Sequence, residues 1–323
     1  MIRRSRSARL ACLLWLAAAI VPQSNAQSVS HAEANLQQGR VDAALAEAAQ
    51  VLELNPKDAA AHFLVCRARY HLEQWQAAVD ACRSAIAIAP QQGDFHLWLG
   101  RAVGEQAERA ILLTAYQLGK QVRTEFETAA ALSPKDEATL SDLGEFYVDA
   151  PRILGGGLDK ARGIATRLGD IDPGQSHWLQ AEIAGERKDY DLAERELKIA
   201  VETSKNPAQA WMNLASFYRG RKKLDEMENA VKLGAAADTQ STSTLVDGAN
   251  SLLRADRNTA FAIELLQRYL AGGHLSEDAP AFVIHVKLAQ ALEKQGDAAG
   301  AAKGRAAAHA LARDYAEPAA HSH

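Results

Sequence analysis

Runs of alanine and larger aliphatic residues at helical spacing recur along this chain, and short polar turns separate them. Three of the runs close on proline: Val51-Leu52-Glu53-Leu54-Asn55-Pro56, Ala85-Ile86-Ala87-Ile88-Ala89-Pro90 and Ala129-Ala130-Ala131-Leu132-Ser133-Pro134. Proline cannot continue a helix and disfavours helical geometry in the residue before it, so each marks a boundary. Pro56, Pro90, Pro134, Pro173 and Pro207 follow one another at 34, 44, 39 and 34 residues. The base period is therefore 34, with insertions of ten and five that fall near 104–120 and 150–157. The pattern predicts about eight two-helix units, at roughly 28–56, 59–90, 93–134, 136–173, 175–207, 208–237, 242–273 and 279–314.

Composition narrows the fold class. Alanine supplies 66 of 323 residues, while Phe, Tyr and Trp together supply 6%. Alanine is the best helix former and lets helices pack closely, whereas a strand-rich fold needs more β-branched and aromatic residues. With 48% hydrophobic and 24% charged residues, disorder is excluded as well. The expected class is all-α.

Within the units, Trp211, Leu214, Ala215 and Tyr218 follow a W-x2-L-G-x2-Y pattern almost fully. Leu99-Gly100, Leu143-Gly144 with Tyr147, and Leu288-Ala289 follow it in part, and Ala44, Ala78, Ala161 and Ala193 supply the small residue of the second helix. The chain thus resembles the tetratricopeptide repeat family. The resemblance implies a right-handed α-solenoid across residues 27–316 as one cooperative domain, with 317–323 as a disordered tail. It also implies that the first helix of each hairpin lines a concave groove. In that register the groove receives Phe63, Arg67, Tyr70 and His71; then Asp94, Leu97 and Arg101; then Gln175, Trp178 and Glu182; then Met212, Ser216 and Arg219. For each of these, packing against the neighbouring repeat is the competing reading.

The first residues read as an export signal. Arg3, Arg4, Arg6 and Arg9 precede a 12-residue apolar run from Leu10 to Val21, Pro22 breaks it, and Ser24-Asn25-Ala26 offers a cleavage site after Ala26. The run is too short for a membrane span, which needs roughly 20 residues, and the remainder holds no other candidate span. The expectation is a periplasmic or secreted protein. Loss of four arginines leaves 32 basic against 40 acidic side chains, a net charge of −8, which argues against nucleic acid as a partner.

Catalytic signatures are missing: there is no H-E-x-x-H, G-x-S-x-G, phosphate-binding G-x-x-x-x-G-K-[ST] or Cys-x-x-Cys. Neither enzyme activity, a cofactor nor a metal is expected, and His321-Ser322-His323 reads as a solvated tail. Gly155-Gly156-Gly157 lacks the Lys-Ser/Thr pair and is followed by Asp159, which reads as an inter-helix turn rather than a phosphate cradle. Cys66 and Cys82 fall at matching levels of one hairpin, where an oxidising compartment permits a disulfide. Reduced thiols filling core space are the preferred of the two readings.

The leading expectation is a non-enzymatic adaptor that holds a protein or peptide in its groove. A second, from another class, is an oligomeric transport accessory or small-ligand binder that uses the apolar run Ala110-Ile111-Leu112-Leu113-Thr114-Ala115-Tyr116 for self-association.

Overall fold

A computed structural model describes residues 21–317, with side chains from Ser28 onward. Of the segment expected to be an export signal, residues 1–20 lie outside the described residues, as do residues 318–323 of the expected tail. Sixteen α-helices and no strand occur among the described residues. They pair as hairpins: α1 (Val21–Gln37) with α2 (Val41–Leu54), α3 (Ala59–His71) with α4 (Trp75–Ile88), α5 (Gly93–Glu108) with α6 (Leu112–Leu132), and α7 (Glu137–Asp149) with α8 (Leu158–Gly169). The second half pairs α9 (Pro173–Glu186) with α10 (Tyr190–Thr203), α11 (Pro207–Gly220) with α12 (Leu224–Ala237), α13 (Thr244–Arg254) with α14 (Thr259–Ala271), and α15 (Ala281–Lys294) with α16 (Ala298–Leu311). The fold is an all-α solenoid of eight helical hairpins. No helix among the described residues is long and apolar enough to cross a membrane.

Local chemistry sets the boundaries. After Pro56 and Pro134 stop one hairpin, Asp58 and Asp136 start the next by accepting hydrogen bonds from Ala61 N (3.0 Å) and Thr139 N (2.7 Å). Pro173 and Pro207 differ from the sequence expectation, because each opens a helix instead of closing one. Their caps, Asp172 and Asn206, precede them, and proline fits the first helical turn, where its missing N–H has no partner to lose. The turn inside six of the eight hairpins also repeats. Gly39, Glu73, Lys188, Lys222, Asp256 and Gly296 all have positive φ, and Lys188, Lys222 and Asp256 follow at intervals of 34.

The two insertions are accommodated differently. The first extends α5 and α6 so that their hairpin projects, placing Ile111, Leu112 and Leu113 at its tip with 80%, 92% and 70% exposure. The second forms a 3₁₀ turn, Arg152–Leu154, and the glycine run. Gly155 is left-handed (φ +96°), and a Cβ on Gly156 would lie 1.8 Å from the Ala150 carbonyl oxygen. Close backbone approach thus accounts for the glycines, as an inter-helix turn requires.

The eighth hairpin packs back on the first, which closes the solenoid into a ring. Leu36, Val41, Leu64 and Leu72 from the first two hairpins share one core with Phe282, Val286 and Ala308 from the last. Burying side chains of this size contributes roughly 1.5–3 kcal/mol each. Polar contacts seal the seam. Arg67 donates to Glu277 (2.7 Å) and to Glu33, His71 contacts Glu277 (3.4 Å), and Arg313 donates to Asp42 through its backbone N (3.0 Å) and Nε (3.1 Å). Burial would push the Glu277 carboxyl up, but the bond from His71 and the charge of Arg67 hold it below 4.5. Its ionised form therefore stabilises the closed ring above that pH, and the contribution falls away as acid protonates it.

Gly39 sits on this seam. It is left-handed (φ +71°), and an added Cβ would lie 2.6 Å from Ala281 N, whereas Gly296, at the equivalent turn of the last hairpin (φ +84°), faces open space. Gly296→Ala should cost about 1–2 kcal/mol from backbone strain alone. Gly39→Ala should cost visibly more and raise hydrogen exchange in α15 and α16. Equal losses in thermal denaturation would show that residue 39 does not touch the last hairpin.

Candidate functional site

The first helices of consecutive hairpins touch one another: α1 with α3, α3 with α5, α7 with α9, and α9 with α11, which also meets α13. Second helices of hairpins adjacent in sequence make no comparable contacts among the described residues, while α2 and α16 meet at the seam. The first helices are therefore the inner layer of the ring, because an inner circle leaves less room per hairpin. Cross-hairpin bonds tie that layer together. Arg101 grips Asp142 through Nε (2.6 Å) and Nη2 (3.2 Å), Gln209 donates to Asp247 (2.9 Å), and Lys287 donates to Asn250 (2.8 Å).

Several residues expected in the groove are committed to structure. Arg67 is 7% exposed and is held by Glu33 and Glu277, while His71 serves the same seam. Phe63 stacks on Phe95 of the next hairpin (4.5 Å between centroids), with Arg67 over its outer face. Tyr70 packs edge-on against Trp75 and Trp98 at 5.2 and 5.3 Å, and burial together with Glu105 pushes its hydroxyl up to about 12. One assignment needs correction. Leu97 (4% exposed) points into the core, whereas Met212 (2%) is buried yet still borders the cavity between α11 and α13. Met212 fills the space against Gly234 and Gly248, where an added Cβ would meet its methyl carbon at 2.9 and 3.0 Å. Asp94, Glu182 and Ser216 are exposed, and Gln175, Trp178, Arg101 and Arg219 are partly so.

Cys66 and Cys82 are joined by a disulfide with Cα atoms 5.1 Å apart, in place of the reduced pair preferred from sequence. Both are fully buried where α3 and α4 approach most closely. Their levels match because they stand equally far from the hairpin turn.

The inner layer carries charge in sectors. Glu145, Asp149 and Glu182 form an acidic stretch on α7 and α9. Burial and the neighbouring Asp142, Glu182 and Asp149 push the Glu145 carboxyl up to about 7. Asp149 is raised by burial and Glu186, and Glu182 by burial and Asp149. Next along the inner layer, α11, α13 and α15 bring Arg219, Arg254 and Lys287 together. Burial and Arg254 lower both Arg219 and Lys287. Among the described residues no group of three or more His, Cys, Asp or Glu is placed to hold a metal ion.

Glu145, Asp149, Asn250, Arg254, Lys287 and Glu277 were missed from sequence. The period contained part of the signal: Glu145 lies 44 residues after Arg101, the enlarged spacing, and Asn250 lies 34 after Ser216. Glu277 gave no such signal, since its partner Arg67 is 210 residues away.

The geometry defines a class, the closed helical-repeat solenoids, and the comparisons agree with it. The tetratricopeptide repeat model matches residues 29–93. Yeast Tom70 superposes with a TM-score of 0.56 at 16% identity, over 93% of this chain and 63% of its own, so this chain spans less than two thirds of it. A thermophilic tetratricopeptide repeat protein of Thermus thermophilus gives 0.49 at 19% identity, over 60% of this chain and 98% of its own. One from Parabacteroides merdae gives 0.48 at 12% identity, over 78% and 94%. No curated protein matches the sequence. The family match thus marks residues 29–93 as tetratricopeptide repeat, and the rest of the chain continues the same succession of helical hairpins.

The acidic sector makes a pH prediction. A carboxyl whose folded value lies above its ordinary 4.5 binds its proton more tightly in the folded chain. Folding therefore loses stability as pH rises from 4.5 towards 7, where the charge becomes obligatory. Glu145→Gln should raise Tm at pH 8 and leave it nearly unchanged at pH 5. A uniform shift at both pH values would mean that Glu145 is not crowded by its neighbours.

Proposed function

We propose that this protein is a non-enzymatic scaffold of the periplasm that holds a segment of a partner protein against the inner layer of its ring. The observation that carries this reading is the charged inner layer itself, which spans several hairpins and leaves Glu145, Glu182, Arg219 and Arg254 without ion-pair partners among the described residues. A rigid curved surface loses little conformational entropy on binding, so modest contacts from successive hairpins add up. Export is supported by the basic and apolar first residues and by the Cys66–Cys82 bridge, since disulfides persist in oxidising compartments.

A second reading has its own observation. Ile111, Leu112 and Leu113 stand almost bare at the tip of the α5–α6 hairpin, which suits self-association of an oligomeric accessory. Photoreactive residues at Trp178 and Ser216, and separately at Leu112, test both in the native host. The scaffold reading expects adducts to one or a few exported or inner-membrane proteins from the two inner positions. Adducts only to a second copy of this chain, formed from Leu112, would replace it with the oligomeric reading.

A further inference from the structure

The two insertions meet on one edge of the ring, the edge formed by the turns inside the hairpins. Contacts run from turn to turn along it. Arg109 of the third turn lies 4.9 Å over Trp75 beside the second, and Leu154 of the fourth covers Gly119 on α6. Arg187 of the fifth turn lines one cleft with the glycine run of the fourth, and Arg221 of the sixth lies 3.7 Å over Tyr190 at the fifth. α6 has 21 residues where α4 and α10 have 14. At 1.5 Å per residue the excess carries the α5–α6 tip about 10 Å beyond the edge. Ile111, Leu112 and Leu113 stand on that tip, and Ile153, 72% exposed, stands on the edge beside it. Leu54 is the one other large apolar side chain more than half exposed among the described residues, and it ends α2 on the opposite edge.

The two edges also differ in charge. The eight turns inside the hairpins hold nine Arg and Lys residues against four acids, and seven of the nine lie in the third to sixth turns. The seven linkers of the opposite edge hold three Lys against seven acids. Arg109 pairs with Glu105 and Lys223 with Glu194. Arg152, Arg187, Lys188 and Lys222 are exposed and have no ion-pair partner among the described residues. The acids nearest these turns stand on the helices behind them. Asp159 and Asp225 are paired with Arg162 and Arg257, and Asp189 caps α10. Glu108, Asp149, Glu186 and Asp191 remain exposed, and they reduce the positive charge of the edge without cancelling it.

We propose that this edge docks on a lipid bilayer that carries anionic headgroups. The α5–α6 tip inserts Ile111, Leu112 and Leu113 at the acyl boundary, and the third to sixth turns lie against the headgroups. The shape of the tip favours lipid over a protein. Three consecutive aliphatic side chains on a convex tip point in different directions, so a rigid partner, a second copy included, needs a pocket around all of them. Fluid lipid needs none. The projection also matches the roughly 5–10 Å to which interfacial segments sink. Cations spread over four turns suit the diffuse negative charge of a leaflet better than one acidic side chain. Stable anchoring takes two signals, and here an apolar wedge and a basic edge stand side by side.

Vesicle flotation tests this with the exported protein, purified as its host processes it. The protein should float with vesicles of phosphatidylcholine and phosphatidylglycerol, less with phosphatidylcholine alone, and less as salt rises. Leu112→Ser/Leu113→Ser should weaken binding about tenfold or more. Arg187→Gln/Lys188→Gln/Lys222→Gln should remove the preference for anionic vesicles, while Lys57→Gln/Lys135→Gln, on the opposite edge, should bind as wild type. All these side chains are exposed, so circular dichroism melts of the variants should match the wild type. A wild type that floats with neither vesicle, or a serine variant that floats like wild type, would overturn the docking surface. An oligomer seen by light scattering without vesicles, and dissolved by the serine variant, would overturn it in favour of a second copy at the tip. Crosslinks from Trp178 and Ser216 are read separately, so loss of the docking surface leaves the scaffold reading standing.

Discussion

Glu277 joins the two ends of the repeat array, and the arrangement of the inner surface depends on that contact. An open stack would leave one face of its first hairpin and one of its last exposed, each with apolar side chains uncovered. Here the last hairpin covers the first. Phe282 and Val286 complete the core that Leu36 and Leu64 begin, and Glu277 neutralises Arg67 and meets His71. Without the carboxylate, a nearly buried guanidinium would keep Glu33 alone, and removing one partner from such a pair costs about 3 kcal/mol or more. The apolar seam supplies the affinity between the ends, and the ion pairs supply its register.

Closure changes what the concave face is. In an open solenoid the first-helix residues would form one continuous groove. In the ring, the start of that groove is consumed by the seam, which takes Arg67 and His71, and by the aromatic stack of Phe63, Tyr70, Trp75 and Trp98. The free part begins near Arg101 and runs to Lys287, with acid on α7 and α9 and base on α11 to α15. Partial desolvation and like-charged neighbours raise Glu145 and lower Lys287, so each sector gains by accepting the opposite charge.

Much of this was legible in the chain. Prolines, alanines and the 34-residue period located all eight hairpins, because each hairpin is a local structure whose signals lie within its own unit. The groove register was legible only to within one helical position. Leu97 fell on the wrong side of that margin, and packing against neighbouring aromatic rings accounts for Phe63 and Tyr70. Longer-range features left no trace in the pattern. Glu277 is separated from its partners by 206 to 240 residues and lies in the loop between α14 and α15, outside every repeat unit. Lys287 and Arg254 stand in the last two units, where the repeat pattern is matched only at Leu288-Ala289, and neither is a consensus position.

The central claim is that the eighth hairpin closes on the first. With Cys12 replaced by serine, nitroxide labels at Ala46 on α2 and His309 on α16 report the separation of the two ends by double electron–electron resonance. The account predicts one short, narrow distance at neutral pH that broadens in Glu277→Gln. A long, broad distribution in the unaltered seam would contradict it and return the molecule to an open solenoid.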